Sequence, residues 1–455
     1  MQSFASIVLA AGKGMRMKSK VAKPLHLMNG KRIIEWVFDS VISCDIQENY
    51  VVISEQSDGI IDVLKDKAKY IMQVEQLGTG HALMTAMYHL KEIAKNVIVI
   101  CGDIPLLTSN NLRNLMDTHI SEGNKASLLT TKIDYPQGYG RILKDELGNF
   151  AGIIQEVDAD SEQMKLNEVD AGVYCFDVDE LIKSMRYITN TNIKGEYYLT
   201  DFIGIMNNNS CKVGMCLADN PENVMCVNDR FQLAQVSRIN RMRILEKLMR
   251  SGVTIIDPSN TYIDDTVVIG ADTIIYPNTF IEGNTTIGED CIIGPSARIF
   301  DSIIEASVKI IDSTVRESEV GKGTTVGPYA NLRPNNKIGM NVKIGDFVEI
   351  KESFIDAGTK ISHHAYIGNT DIGKKVNIGC GTITVNYDGK YRHKTVIGDN
   401  TFVGCNTNLV APVDVGSGVY IAAGSTITDS IPDKSFSIAR ERQINKFGWK
   451  RKNSY

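Results

Sequence analysis

Over the first half of the chain, short apolar runs alternate with longer mixed stretches. SIVLAA (residues 6–11), YVVIS (50–54), NVIVICGD (96–103), KASLLTT (125–131) and GVYCF (172–176) read as strands, and a stretch such as Gly80 to Lys95 reads as a helix. This alternation predicts a mainly parallel α/β sheet. At Asp229 the pattern changes. Leu233, Val236, Ile239, Met242, Leu245 and Met249 recur at three- and four-residue spacing, and Gly252 follows. One amphipathic helix with a glycine stop is expected there.

Beyond it an aliphatic residue followed by glycine recurs, mostly at six residues or multiples of six, as in Ile269-Gly270, Ile287-Gly288, Ile338-Gly339, Ile378-Gly379, Ile397-Gly398 and Val403-Gly404. Six residues make a short strand and a corner, so three units close a triangular coil, and stacked coils pair at the strand spacing of about 4.8 Å. The aliphatic residue fills the prism and the glycine is expected to relieve the corner. The register slips between Gly345 and Gly373, 28 residues apart, and between Gly379 and Gly398, 19 apart instead of 18. Each slip is expected to expel a loop; KISHHAYIG and TVNYDGKYRHKT fall there and hold all three histidines of this half. The expected boundaries are residues 1–228, 229–249 for the linker helix, and 250–455 for the solenoid.

A chain of 455 residues exceeds one ordinary core. With 43% hydrophobic residues and no apolar run near the roughly 20 residues of a membrane helix, no membrane insertion is expected. The N-terminal MQSFASIVLAAGKG lacks a basic lead-in and reads as a first strand, so a cytoplasmic location is expected. Nine scattered cysteines without a CxxC pair argue against a disulfide framework, and seven histidines without HxxxH or HxH clustering argue against a zinc site. A net charge of -5 argues against general nucleic-acid binding. It also isolates a local feature: Lys13, Arg16, Lys18, Lys20 and Lys23 crowd LAAGKGMRMKSKVAK, directly after the first strand. Backbone N–H groups of a glycine turn entering a helix, with Arg16 and Lys23 beside them, suit phosphate oxygens. Asp103 ends an apolar strand, where open α/β sheets bind ligands, and suits a magnesium ion.

These segments, with EQLGTGHA (75–82), QGYGRI (137–142), GEYYLTD (195–201) and VNDR (227–230) ahead of the solenoid, closely resemble the bacterial bifunctional N-acetylglucosamine-1-phosphate uridyltransferase / glucosamine-1-phosphate N-acetyltransferase family over essentially the whole chain. The resemblance implies an N-terminal Rossmann-like nucleotidyltransferase domain, a linker helix and a C-terminal left-handed parallel β-helix of hexapeptide repeats. It implies a cytoplasmic homotrimer with small-molecule substrates and with neither nucleic acid nor membrane as partner. Such an enzyme acetylates glucosamine 1-phosphate from acetyl-CoA, then transfers a uridylyl group from UTP to N-acetylglucosamine 1-phosphate with release of pyrophosphate. The product serves peptidoglycan and lipopolysaccharide synthesis.

For the first site the resemblance implies Leu9, Ala10, Ala11, Gly12, Gln73, Gly78, Thr79, Cys101 and Gly102 around the nucleotide. It puts Arg16 and Lys23 on the phosphates as catalytic cations, Asp103 and Asn228 on Mg2+, and Gly140 and Asp170 with the UDP-sugar. Gln155 stands where the family has glutamate, with Glu156 as a one-residue-shifted substitute, and Asp170 stands where asparagine is usual. Asn228 is also a candidate N-cap of the linker helix.

In the solenoid the resemblance selects His363 as the general base that takes a proton while the substrate amine attacks the thioester. It implies Arg333 and Lys351 on the sugar phosphate, Tyr366 and Asn377 on the sugar, and Asn386 and Tyr387 near the acetyl group. Cys380, Cys405, Ala423 and Arg440 would line the coenzyme, with KFGWKRK (446–452) adding cations and each site built between subunits. Cys380 and Cys405 replace a usual alanine and serine, and Arg392 a usual lysine. A sugar-nucleotide pyrophosphorylase with an oligomerising or regulatory solenoid is one rival reading, against which His363, Lys351 and NYDG speak. A non-catalytic scaffold is another, against which Asp103 and the clustered loop chemistry speak.

Overall fold

The structure, a computed structural model, describes residues 3–90 and 93–449. Two compact units, Met1–Asn240 and Arg241–Tyr455, divide within the helix Arg230–Arg250.

In the first unit the apolar runs form a sheet in the order Val213–Leu217, Ala126–Lys132, Glu168–Asp177, Asn96–Cys101, Phe4–Leu9, Glu48–Ile53, Lys69–Met72. Neighbours are parallel except at Glu168–Asp177, which runs antiparallel to both of its own. The runs are continuously apolar because helices cover both faces. Ile7, Val97 and Val99 pack with Leu83 and Met87 of the helix Thr79–Leu90, while Val8, Ile98 and Ile100 pack with Val37 and Phe38 of the helix Ile33–Ile42. The helix expected from Gly80 to Lys95 is thus observed over Thr79–Leu90, and Ile93 to Lys95 are not helical.

In the helix Arg230–Arg250, Val236, Asn240, Ile244 and Leu248 form the buried stripe at four-residue spacing, with Leu245 beside it. Met242, expected on that stripe, is exposed, because a stripe with a strict period of four drifts around a helix of 3.6 residues per turn. Gly252 provides the stop in the left-handed region, at φ 100°.

The second unit is a parallel β-helix with three strand-bearing faces. Inward residues from Ile263 to Ile427 are buried throughout, and every coil pairs with the next in parallel. The expected expulsion of KISHHAYIG does not occur: it is a nine-residue strand, Lys360–Gly368, paired in register with Lys343–Lys351. The slip arises from two shortened units, since the inward residues Ile350 and Ile355, and again Ile367 and Ile372, are five apart. Only the second slip extrudes chain, between the inward residues Thr384 and Ile397, where Tyr387 bridges Arg392.

Among the repeat glycines, Gly294 (φ 91°) and Gly327 (φ 103°) take the left-handed corner as expected, and the others act differently. Gly345, Gly379 and Gly404 are not in the left-handed region; the corner φ is taken two residues later, by Phe347 (57°), Gly381 (75°) and Asn406 (54°). A Cβ on Gly379 would stand 2.6 Å from the backbone nitrogen of Cys405 on the next coil, so glycine is required by coil stacking. Gly379→Ala should therefore destabilise the solenoid by more than about 2 kcal/mol in urea unfolding. Gly204→Ala, in the helix Leu199–Asn208 with nothing within 4 Å of the added carbon, should instead stabilise the first unit by about 0.5–1 kcal/mol. Equal effects at the two positions would contradict this account.

Candidate functional site

Leu9 is paired with Cys101 across parallel strands, so the loops that follow both strands leave at the same end. Gly102 N donates to Leu9 O at 2.9 Å, and a Cβ on Gly102 would meet that oxygen at 2.9 Å. Val227 N donates to Asp103 O at 2.8 Å, which brings Asn228 to the same place. Here a cavity of about 510 Å³ is lined by Leu9, Ala10, Ala11, Gly12, Arg16, Lys23, Gln73, Gly78, Thr79, Cys101, Gly102, Asp103 and Asn228.

Lys23 Nζ lies 2.5 Å from Asp103 Oδ2 and 3.4 Å from Asn228 Oδ1, and Arg16 Nη2 donates to the same Asn228 oxygen at 2.9 Å. Asp103 Oδ1 is buried and has no hydrogen-bond partner among the described residues. A carboxylate oxygen and an amide oxygen, converging in a cleft, fit magnesium, which takes few protein ligands and fills its shell with water and phosphate oxygens. Burial pushes the Cys101 thiol well up, so it is an inert wall.

Three expectations need correction. The glycine turn enters only the single 3-10 turn Met15–Met17, too short for a helix dipole, so loop N–H groups and side-chain cations are what it offers an anion. Lys18 and Lys20 are exposed and stand outside the cavity lining. Asn228 does not cap the linker helix: Asp229 Oδ1 does so, accepting from Gln232 N at 2.8 Å, which leaves the Asn228 oxygen to the cations.

Gly140 and Asp170 stand together outside that lining, joined by Asp170 N donating to Gly140 O at 3.0 Å. Gln155 adjoins them, since a Cβ on Gly140 would lie 3.4 Å from its Nε2, and it donates to Thr200 Oγ1 at 3.2 Å. Glu156 is instead engaged by Gly138 N (2.7 Å) and Arg141 (3.6 Å), so it does not take the place of Gln155.

In the solenoid, Asp346 and His363 face each other across adjacent coils, and Asp346 Oδ1 lies 2.7 Å from His363 Nδ1. That hydrogen bond holds the Asp346 carboxyl below its usual range. The register continues along the corner. Ile361 pairs with Ile378, Ile378 with Val403 and Val403 with Ile421, so two places on, His363, Cys380, Cys405 and Ala423 form one column. Arg440 stands at its end, with its Cδ 3.8 Å from where a Cβ of Gly424 would be.

On the following face a second group assembles. Lys351, which is buried, pairs with Glu352 (3.0 Å); Glu352 accepts from Asn369 (2.7 Å), which accepts from Asn386 (2.7 Å). Arg392 reaches Glu352 at 3.4 Å and Arg333 pairs with Glu349 at 2.9 Å, opposite Tyr366. Asn377 lies on the preceding face and Tyr387 on the extruded loop. Of KFGWKRK, Lys450 to Lys452 lie outside the described residues.

Sequence reasoning missed Asp346, whose spacing of 17 residues from His363 is one shortened coil, and Gln76, Lys194 and Glu196, which also line the first cavity. Gln76 Nε2 donates to Ala11 O at 2.8 Å, which ties its segment to the glycine loop.

Residues 6–157 match the model of the MobA-like NTP transferase domain, 315–400 that of the GMPPB C-terminal domain, and 266–301 and 394–429 that of the bacterial transferase hexapeptide (six repeats). The chain is similar to the bifunctional protein GlmU of Acetivibrio thermocellus, 47% identical over 449 residues that cover 99% of this chain and 97% of that protein. GlmU of Clostridium novyi is 47% identical over 98% of this chain and 97% of its own length. GlmU of Caldanaerobacter subterraneus subsp. tengcongensis is 49% identical over 99% and 98%.

Burial pushes the Asp170 carboxyl up to about 6, against the hydrogen bonds from Tyr174 and Gly172 that favour its ionised form. A carboxyl whose folded pKa exceeds its unfolded value of about 4 stabilises the fold fully below that value and loses the contribution as pH rises through about 6. Asp170→Asn should therefore gain stability relative to the parent as pH rises from about 4 to 7, by on the order of 1–3 kcal/mol in urea unfolding. A difference that does not change with pH would refute the assignment.

Proposed function

This chain belongs to the family of bifunctional GlmU proteins, and from that membership and its two separate sites we infer that it makes UDP-N-acetylglucosamine in two transfers. Acetyl-CoA acetylates the amine of glucosamine 1-phosphate at the solenoid. UTP then donates its uridylyl group to N-acetylglucosamine 1-phosphate in the first unit, and pyrophosphate leaves. The Asp346–His363 pair carries the choice of a bifunctional enzyme, because a pyrophosphorylase with a passive solenoid has no use for an oriented base.

In the first unit the phosphate oxygen of the sugar attacks the α-phosphorus in line. Arg16 and Lys23 offset charge on the departing pyrophosphate, and Lys23 is held ready by Asp103. The loop Leu9 to Gly12 with Gln73, Gly78 and Thr79 surrounds the nucleotide, and Gly140, Gln155 and Asp170 stand toward the sugar. Asp103 and Asn228 would hold magnesium, which when bound neutralises triphosphate charge.

At the solenoid, a proton on His363 Nδ1 bound to Asp346 leaves Nε2 free to accept one from the substrate amine. Arg333 and Lys351, preset by Glu349 and Glu352, take the sugar phosphate. Tyr366, Asn377, Asn386 and Tyr387 orient the sugar and acetyl group, and coenzyme A runs along Cys380, Cys405 and Ala423 to Arg440. His363, Cys380, Cys405 and Tyr387 are exposed, which supports completion of each site by a neighbouring copy in a homotrimer. No helix among the described residues is long and apolar enough to cross a membrane, and the co-substrates UTP and acetyl-CoA place the work in the cytoplasm.

Asp103→Ala should abolish uridylyl transfer and leave acetyl transfer intact. His363→Ala should do the reverse, lowering acetyl transfer about 10²- to 10⁴-fold. Loss of both activities in either variant, folded and assembled as the parent, would overturn the two-site reading. Asp346→Ala should lower kcat of acetyl transfer about tenfold or more with KM for the sugar unchanged. Asp346→Asn, which still offers an oxygen to Nδ1–H, should recover most of it; no recovery would mean that Asp346 does not act by orienting the ring.

A further inference from the structure

Of the nine cysteines, Cys380 and Cys405 alone are exposed; the other seven are buried or half-buried, and burial pushes their thiols up. The exposed two are neighbours. Asn377–Ile378 pairs in parallel with Phe402–Val403, Ile378 opposite Val403, and the pairing runs on through the corner, where Gly379 N donates to Val403 O at 2.8 Å and Asn406 N to Cys380 O at 2.7 Å. Cys380 therefore stands opposite Cys405 at the same step of the same corner, each followed by a left-handed residue. In-register neighbours lie about 4.8 Å apart, inside the roughly 4.4–6.8 Å that the Cα atoms of a disulfide span. Side chains of in-register parallel neighbours stand at about the same 4.8 Å strand spacing, wider than the disulfide Cβ mean of about 3.8 Å, so a bridge would be strained and easily reduced, as labile regulatory disulfides are.

We propose that Cys380 and Cys405 form a redox-active dithiol that reacts with coenzyme A disulfide. The inference rests on the reading of this corner as the coenzyme edge. Thiols take no part in the acetyl transfer itself, which uses an amine nucleophile and His363 as base. A pair of them along the coenzyme meets the oxidised form of the same molecule. One thiolate attacks a sulfur of the coenzyme A disulfide, forming a mixed disulfide and releasing one coenzyme A thiolate. The second thiolate attacks the protein sulfur of that mixed disulfide, closing the Cys380–Cys405 bond and releasing a second coenzyme A thiolate. Two protein thiols are oxidised, one small-molecule disulfide is reduced, and the two thiol protons pass through solvent to the released thiolates. The bridge, or the mixed disulfide before it, occupies the coenzyme edge and stops acetyl transfer. A reductant thiol reverses it.

The full-length protein is treated with coenzyme A disulfide and, separately, with an aromatic disulfide reagent, followed by peptide mass mapping and both activity assays. The expected result is a peptide linking Cys380 to Cys405, at least tenfold less acetyl transfer with uridylyl transfer unchanged, protection by acetyl-CoA, and recovery with dithiothreitol. Cys405→Ser should halt the reaction at coenzyme A joined to Cys380, and Cys380→Ala should yield no linked peptide. Absence of the linked peptide with both reagents would overturn the dithiol. A linked peptide that forms without protection by acetyl-CoA and without loss of acetyl transfer would overturn the coenzyme-edge reading, and the proposal with it.

Discussion

Parallel pairing of backbone in fixed register sets the position of nearly every functional side chain in both units. Leu9 opposite Cys101 makes two loops leave the sheet side by side, so the glycine loop meets Asp103. Asp346 opposite His363, and Cys380 opposite Cys405, follow from the coil-to-coil hydrogen bonds of the solenoid. A one-residue slip would send each of these side chains elsewhere, and the buried aliphatic residues prevent the slip because it would carry them out of the core.

The two units solve the charge problem of a phosphorylated substrate in different ways. In the first, Lys23 and Arg16 share acceptors on Asp103 and Asn228, and Asp103 Oδ1, which has no partner among the described residues, is the group with capacity to spare. In the second, Arg333 and Lys351 already face carboxylates, and on the proposed reading a phosphate would take over partners that Glu349 and Glu352 now supply. Both arrangements hold the cations in place before substrate arrives, which lowers the cost of ordering them on binding.

Much of this was legible in the chain. The inward aliphatic residue repeats visibly, and Leu9 to Arg16, Cys101 to Asp103 and Asn228 of VNDR all line one cavity. What was misread depends on stacking, which no local window contains. Gly294 and Gly327 are corner glycines as their sequence suggests, but at Gly345, Gly379 and Gly404 the next coil's backbone is what excludes a Cβ, and the corner dihedral belongs to the residue two places on. KISHHAYIG looks like an insertion because five-residue units shift the count, while the strand itself is continuous. Asp346 carries no motif; its role exists only through the register with His363. Asn228, which the resemblance assigns to magnesium, is by its sequence neighbours also a candidate cap, and tertiary placement gives that work to Asp229.

The central claim is that one chain carries both transfers. The direct measurement incubates the purified protein with glucosamine 1-phosphate, acetyl-CoA, UTP and magnesium and follows products by mass spectrometry. The account predicts UDP-N-acetylglucosamine, with N-acetylglucosamine 1-phosphate accumulating when UTP is left out. If product formed only when N-acetylglucosamine 1-phosphate was supplied, the solenoid would have no acetyl-transfer role and the account would fail.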